Sequence, residues 1–202
     1  MIETQKYNFS FTAGSLRFRE LEKVIEHFDA GKELNFIEDF GGGKSSTGKR
    51  VFDEIKKRYS NLTNSQRKLY LNSDSQIQRQ LAFLAVCKTF SFIRDFVVEV
   101  VRDKALVFDY ELSEGEYLSF FRRKQENHEE MDALSEETVY KVKQVTFKFL
   151  EQAGIINNIK EKQIQPQFLF DDIKKVIVND NPQWLKVFLL SDMDIENSNY
   201  IG

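Results

Sequence analysis

Between positions 81 and 101 the chain reads LAFLAVCKTFSFIRDFVVEVV, its only long stretch that is apolar on nearly every side. A helix of that kind has to be covered all round, so the rest of the fold must be arranged about it. Lys88, Arg94, Asp95 and Glu99 interrupt the run, and a charge at the middle of a bilayer costs about 3 kcal/mol. The stretch therefore reads as a buried central helix, kinked near Thr89 to Ser91, and not as a membrane span.

With 202 residues, 41% of them hydrophobic, there is enough material to surround it. Only two prolines occur and low-complexity runs are absent. Both features favour one compact helical unit, or two lobes packed together, 1–104 with the central helix and 105–202, over lobes on a linker. The formal charge of -3 means that any nucleic-acid contact has to come from a local patch, since the overall field does not attract phosphate. Cys87 lies inside the apolar run and reads as a buried, reduced thiol. MIETQKYNF lacks the apolar core of a secretory signal, so a cytoplasmic location is expected.

Tyr7, Phe9 and Phe11 alternate with polar residues, as in an extended arm that tucks its rings onto one surface, with Ser10 or Thr12 capping the first helix. Leu16, Leu21, Val24, Ile25 and Phe28 fall at helical spacing before Gly31. A second helix is expected to begin at about Ser45 to Thr47. Thr63-Asn64-Ser65-Gln66, Ser73-Asp74-Ser75-Gln76 and Ser113-Glu114-Gly115-Glu116 are capping-box patterns that open further helices. Ser135 is an N-cap for a helix whose apolar side is Val139, Val142, Val145, Phe149, Leu150 and Ala153 and which stops at Gly154. Phe168, Leu169, Ile173, Val176 and Ile177 read as another helix, Pro182 as a helix start, and the acidic tail from Ser191 as frayed at its end. The fold class is all-α.

GGGKSSTGKR imitates the end of a phosphate-binding loop, but the first glycine of that motif would fall at Glu38 and FIEDF is no buried strand, so a flexible loop entering a helix is the better reading. On that helix Val51, Phe52, Ile55 and Tyr59 share one side, while Ser46, Lys49, Arg50, Lys56 and Lys57 gather on the other, with Asp53 among them. Such a face either meets phosphates or is simply solvated. His128 and Asp132 stand at i, i+4, yet with no second histidine nearby a solvated helix end explains them better than a metal pair. His27 reads as an edge residue. No metal, cofactor or catalytic constellation is expected.

After the 113–116 cap, Tyr117, Phe120 and Phe121 point inward, and a turn leads to the helix after Ser135, whose outer side carries Tyr140, Lys141, Gln144 and Lys148. A helix, a turn and a capped helix with amide and lysine outward has the form of a helix-turn-helix, in which glutamine can read adenine and lysine reaches phosphate or guanine. Any helical pair with a polar outer face looks much the same. Ile155, Ile156 and Ile164 supply a small hairpin beyond it, in the manner of a wing.

Four blocks in order, YNFSFTAGSL, SSTGKRVFDEIKKRYSNLT, QRQLAFLAVCKTFSFIRDFVVEVVRDK and SEETVYKVKQVTFKFLEQAGII, resemble the BrxA family of bacteriophage-exclusion (BREX) defence systems. The resemblance implies an all-helical cytosolic protein with helix-turn-helix-like elements around the central helix. It further implies binding to double-stranded DNA, and a gene beside those of a methyltransferase and large ATPases. By position it assigns DNA contact to Ser46, Lys49, Arg50, Lys56 and Lys57 and to Tyr140, Lys141, Gln144 and Lys148. The alternative is a scaffold that docks onto the methyltransferase or ATPase subunits. An RNA-binding bundle stands behind both, and an enzyme last.

Overall fold

In the computed structural model, which describes residues 6–198, the apolar run is divided. It contributes to α5 (Ser75–Thr89), α6 (Ser91–Phe96) and a π-helical segment, Val97–Val101, that passes into α7 (Arg102–Leu106). The expected kink is a full break: Phe90 is extended (φ -122°, ψ 91°) and its ring is wholly buried. Residues 81–87, Cys87 included, have no exposed surface. Lys88 is tolerated because every direction of its ammonium is used. It donates to the Asn61 carbonyl (3.0 Å), Gln66 Oε1 (3.0 Å) and Asp180 Oδ2 (2.5 Å), and lies 5.7 Å above the Trp184 ring. A buried charge is acceptable only when paired and hydrogen-bonded in this way.

Three helices of more than one turn precede this core rod: α1 (Phe18–Ala30), α3 (Ser45–Ser60) and α4 (Asn64–Leu71), with a single turn, α2 (Phe36–Asp39), between the first two. The loop from Gly41 to Lys44 enters α3 as expected, and a helical turn stands before it where a phosphate-binding loop needs a strand. The N-cap position of α1 does not fall at Ser10 or next to the 3-10 turn. The helix starts instead at Arg17, whose backbone is left-handed (φ 48°), and it ends at Gly31 (φ 71°). The Thr63 capping box is complete, whereas α5 is capped by Asp74 rather than Ser73, whose hydroxyl turns back to the Leu69 carbonyl. In the arm, Tyr7 and Phe11 are buried, but Phe11 sits in a short 3-10 turn, Ser10–Ala13, rather than in extended chain.

The second half contains α8 (Glu114–Gln125), capped by the Ser113 box, and α9 (Glu136–Gln152), capped by Ser135. Then come α10 (Asp171–Val178), a 3-10 helix over Pro182–Phe188, and α11 (Asp192–Ser198). Phe168 and Leu169, expected on the same helix as Ile173, both precede α10, and Phe168 is 70% exposed. The acidic tail, far from frayed through residue 198, winds into α11 because Ile195 has a place in the core. The fraying expected at its very end, residues 199–202, lies outside the described residues. Buried side chains from Tyr7 to Ile195 form one cluster, tied in the middle by edge-on rings at Phe92, Phe96, Tyr117 and Phe120. Among the described residues no helix is long and apolar enough to cross a membrane.

The hairpin is present in minimal form. Ile156 and Ile164 make one antiparallel bridge and Glu111 and Gln163 another, so residues 110–112, 155–157 and 163–165 lie side by side without forming strands. Bonds from Gln165 N–H to the Ile155 carbonyl and from Ile164 N–H to the Tyr110 carbonyl, both 2.8 Å, hold the three together.

Candidate nucleic-acid interface

The inner side of α9 is fixed by Val142, Val145, Phe149 and Leu150, all buried, which leaves Tyr140, Lys141, Gln144 and Lys148 outward. Tyr140 is 56% exposed, and its hydroxyl accepts from the Gln144 amide (3.1 Å), so the two side chains stand as one unit along the helix. Lys141 pairs with Glu137 one turn earlier (2.6 Å), and that lysine holds the Glu137 carboxyl below the ordinary range. The four residues expected on this face are therefore together on it.

Beside the face runs a groove of about 620 Å³, bounded by Tyr140, Lys143, Gln144, Lys148, Ile159 and Lys162, with the carboxylate residues Glu114 and Glu151 also on its lining. One wall is α9; the other is the loop 158–162 that joins the two arms of the hairpin. Lys143 and Lys162 were not foreseen. Glu114, in the first turn of α8, holds them both: its carboxylate lies 2.8 Å from the Lys143 ammonium and 3.8 Å from that of Lys162, and this pairing lowers its pKa. Lys143 carried a local signal, one residue before Gln144 on a helix already read as basic. Lys162 carried none, because only the hairpin brings it to α9.

The second expected set, Ser46, Lys49, Arg50, Lys56 and Lys57, is exposed along α3, with Asp53 exposed in its midst. Lys56 leans over the Phe28 ring (5.4 Å). These residues do not join the groove. On the opposite side of α3, Arg58 is completely buried and directs its guanidinium to the Phe149 ring of α9 (5.3 Å), so the basic face of α3 is turned away from α9.

Arg58 was missed in the sequence, although 51, 55 and 58 share one helical side. Its Nη1 donates to the carbonyls of Ser15 and Leu16 (2.9 Å each) and its Nε to Glu54 Oε1 (2.6 Å). Nη2 lies equally near that oxygen but at an angle that makes no hydrogen bond, leaving an ion-pair contact alone. Burial pulls the guanidinium pKa down, with Glu54 opposing, and the group stays charged.

His128 is not on a solvated helix end. It is 5% exposed, stacks on the Tyr7 ring (3.8 Å between centroids, 17° between planes) and places Nδ1 2.9 Å from Glu130 Oε1. Asp132, its supposed metal partner, instead accepts from the Gln125 amide (2.8 Å). The arm folding back over the 126–135 connection is what covers the histidine.

A family model described as BrxA matches residues 5–181. A BREX protein BrxA of Bacillus cereus (strain H3081.97) is 24% identical over 181 residues, covering 86% of this chain and 90% of that one. A BREX protein BrxA of Escherichia coli O9:H4 (strain HS) is 24% identical over 132 residues, covering 65% and 62% respectively. The crystal structure of an uncharacterized protein from Magnetospirillum magneticum superposes with a TM-score of 0.77 at 17% identity, over 91% of this chain and 98% of that chain. This last likeness bears on the fold alone.

Proposed function

The chain belongs to the BrxA family of BREX systems, and on that premise we propose that it is a non-catalytic, double-stranded DNA-binding accessory protein of the defence system, acting in the cytoplasm. The observation that carries this reading is the cationic groove between α9 and the hairpin loop. Its support is the order of segments around it: helical α6 and α7, the short 110–112 segment, α8, α9, then two paired segments joined by the 158–162 loop. That is the succession of a winged helix, in which the second helix of the helix-turn-helix enters the major groove and the wing flanks it. The connection between α8 and α9 is residues 126–135, longer than the usual three or four. Tyr140 and Gln144 offer an amide and a hydroxyl at the height of base edges, while Lys141, Lys143, Lys148 and Lys162 meet phosphates. The α3 face, turned elsewhere, supplies at most a separate backbone contact through Lys49, Arg50, Lys56 and Lys57.

The test is a salt titration of binding to a fluorescent duplex, with single-stranded DNA and duplex RNA of matched length in parallel. Four phosphates neutralised by Lys141 and the three groove lysines give a slope of about -3.6 in log affinity against log salt. Reversing Lys141, Lys148 and Lys162 to Glu should abolish duplex binding, while reversing Lys49, Arg50, Lys56 and Lys57 should cost less. Glu114→Gln removes the carboxylate that already occupies two of the lysines, so affinity should rise several-fold and the slope steepen by about one. Absence of duplex binding at low salt would sink the reading.

A further inference from the structure

Residues 106–110 end α7 in a tight reversal. Asp109 N–H donates to the Lys104 carbonyl (3.0 Å) and Phe108 N–H to the Ala105 carbonyl (3.1 Å). The Lys104 ammonium braces the turn, 2.6 Å from Asp109 and 2.5 Å from Glu116. Such an ending needs one residue in the left-handed region, a place that suits glycine because a Cβ there crowds the backbone. The residue at that place is Phe108, with φ 61°.

A bulky side chain in that conformation is a steric outlier, and here no packing offsets it. Phe108 is 80% exposed and Val107 71%, with Leu106 and Tyr110 exposed beside them. The fold thus holds a strained Phe108, with Val107 exposed beside it, in solvent on a braced turn. Strain kept in this way is a reason to look for use outside the fold.

The exposed charges of the turn itself share one sign. Along residues 103–111 Asp103, Asp109 and Glu111 are exposed, and the one cation of that stretch, Lys104, is already engaged by two carboxylates. Such a rim repels phosphate, which argues against nucleic acid and anionic lipid and favours lysine and arginine. We propose that Val107 and Phe108 form a docking knob for a protein partner that presents an apolar socket rimmed by Lys and Arg. A rigid turn loses little freedom on binding, and an aromatic anchor in a desolvated pocket carries a large share of the energy. The knob stands clear of the cationic groove. Leu112 N–H bonds to the Lys162 carbonyl and Ile164 N–H to the Tyr110 carbonyl, so from 112 back to 108 the chain runs away from the 158–162 loop. DNA and this partner would therefore not compete, and the knob does not depend on the DNA reading.

The experiment places the photo-crosslinking residue p-benzoylphenylalanine at position 108 of the full chain, expressed from its native locus, and identifies the adduct by mass spectrometry. The adduct protein is then purified and titrated against wild type, Phe108→Gly and the double reversal Asp103→Lys with Glu111→Lys. The expected result is binding that weakens with salt, falls roughly tenfold or more in Phe108→Gly and falls again in the reversal, while Phe108→Gly melts no lower than wild type. The proposal is overturned if no protein adduct forms, if the adduct is only a second copy of this chain, or if the captured protein binds Phe108→Gly as well as it binds wild type. A lowered melting temperature for Phe108→Gly would also overturn it, since Phe108 would then be serving the fold.

Discussion

Arg58 shows what one residue can do at a place where local reading stops. Its position on the buried side of α3 follows from the same spacing that buries Val51 and Ile55, yet two lysines precede it and a run of cations reads as surface. What decides its location lies 42 and 43 residues away, in the Ser15 and Leu16 carbonyls that accept from its guanidinium. Removing one partner of a buried charge pair costs about 3 to 5 kcal/mol, because the other is left without a counter-charge. Arg58→Ala should lose about that much in denaturant unfolding, with Glu54 and both carbonyls stranded. Arg58→Met, which keeps much of the volume between Phe90 and Phe149, should recover part of it. If Arg58→Ala unfolds at the wild-type midpoint, the guanidinium does not tie α3 to the 15–16 segment.

At the scale of elements, glycine has opposite consequences in two helices. A Cβ placed on Gly48, inside α3, would stand 2.1 Å from the Phe36 carbonyl oxygen, since α2 packs its backbone directly on that turn. On Gly115, in the first turn of α8, it would meet nothing closer than the Ser113 hydroxyl at 3.7 Å. Gly→Ala in an open helix gains about 0.5 to 1 kcal/mol, so Gly115→Ala should raise the melting temperature and Gly48→Ala should lower it. Thermal melts of the two variants side by side give the answer, and equal shifts would contradict the close approach of α2. Helix starts were the most legible part of this fold, because Thr63, Ser113 and Ser135 each accept from an N–H group three residues away. The break at Phe90 was legible only as a kink, and nothing in the pattern announced the π turn at Val97–Val101. Residues held mainly by distant neighbours carry little local mark.

For the whole molecule, the informative contacts are those that tie the N-terminal arm to the middle of the chain. Tyr7 donates its N–H to Glu130 (2.5 Å) and its hydroxyl to Asp95 (2.7 Å), fastening the arm to the connection between α8 and α9 and to α6. Burial and Asp95 push the tyrosine pKa well up, so the hydroxyl stays protonated and goes on donating. Burial by itself would raise the Glu130 pKa, but the Tyr7 N–H and His128 outweigh it and the net direction is down. A carboxylate depressed in the folded state contributes stability above its unfolded pKa, about 4.3, that is lost as pH falls through the lower folded value. Acidification below about pH 4 should therefore loosen the arm, read as lost hydrogen-exchange protection at the Tyr7 amide. Glu130→Gln should remove that dependence, and an arm that stays protected until the whole chain unfolds would argue against it. The candidate groove shows the same division. Its α9 residues were visible in the sequence at helical spacing, whereas Lys162 reaches them only through a hairpin with a single bridge, and Glu114 only across from another helix.

The covering of α5 has a further consequence during synthesis. Lys88 waits for Asp180, and Phe83 for Phe188, which packs edge-on against it. At about 5 to 20 residues per second, the roughly 90 to 105 residues between these partners take about 5 to 20 s to emerge. Throughout that interval the most apolar helix of the nascent chain stands beside the ribosome with one side open, which makes it the segment a chaperone would meet first.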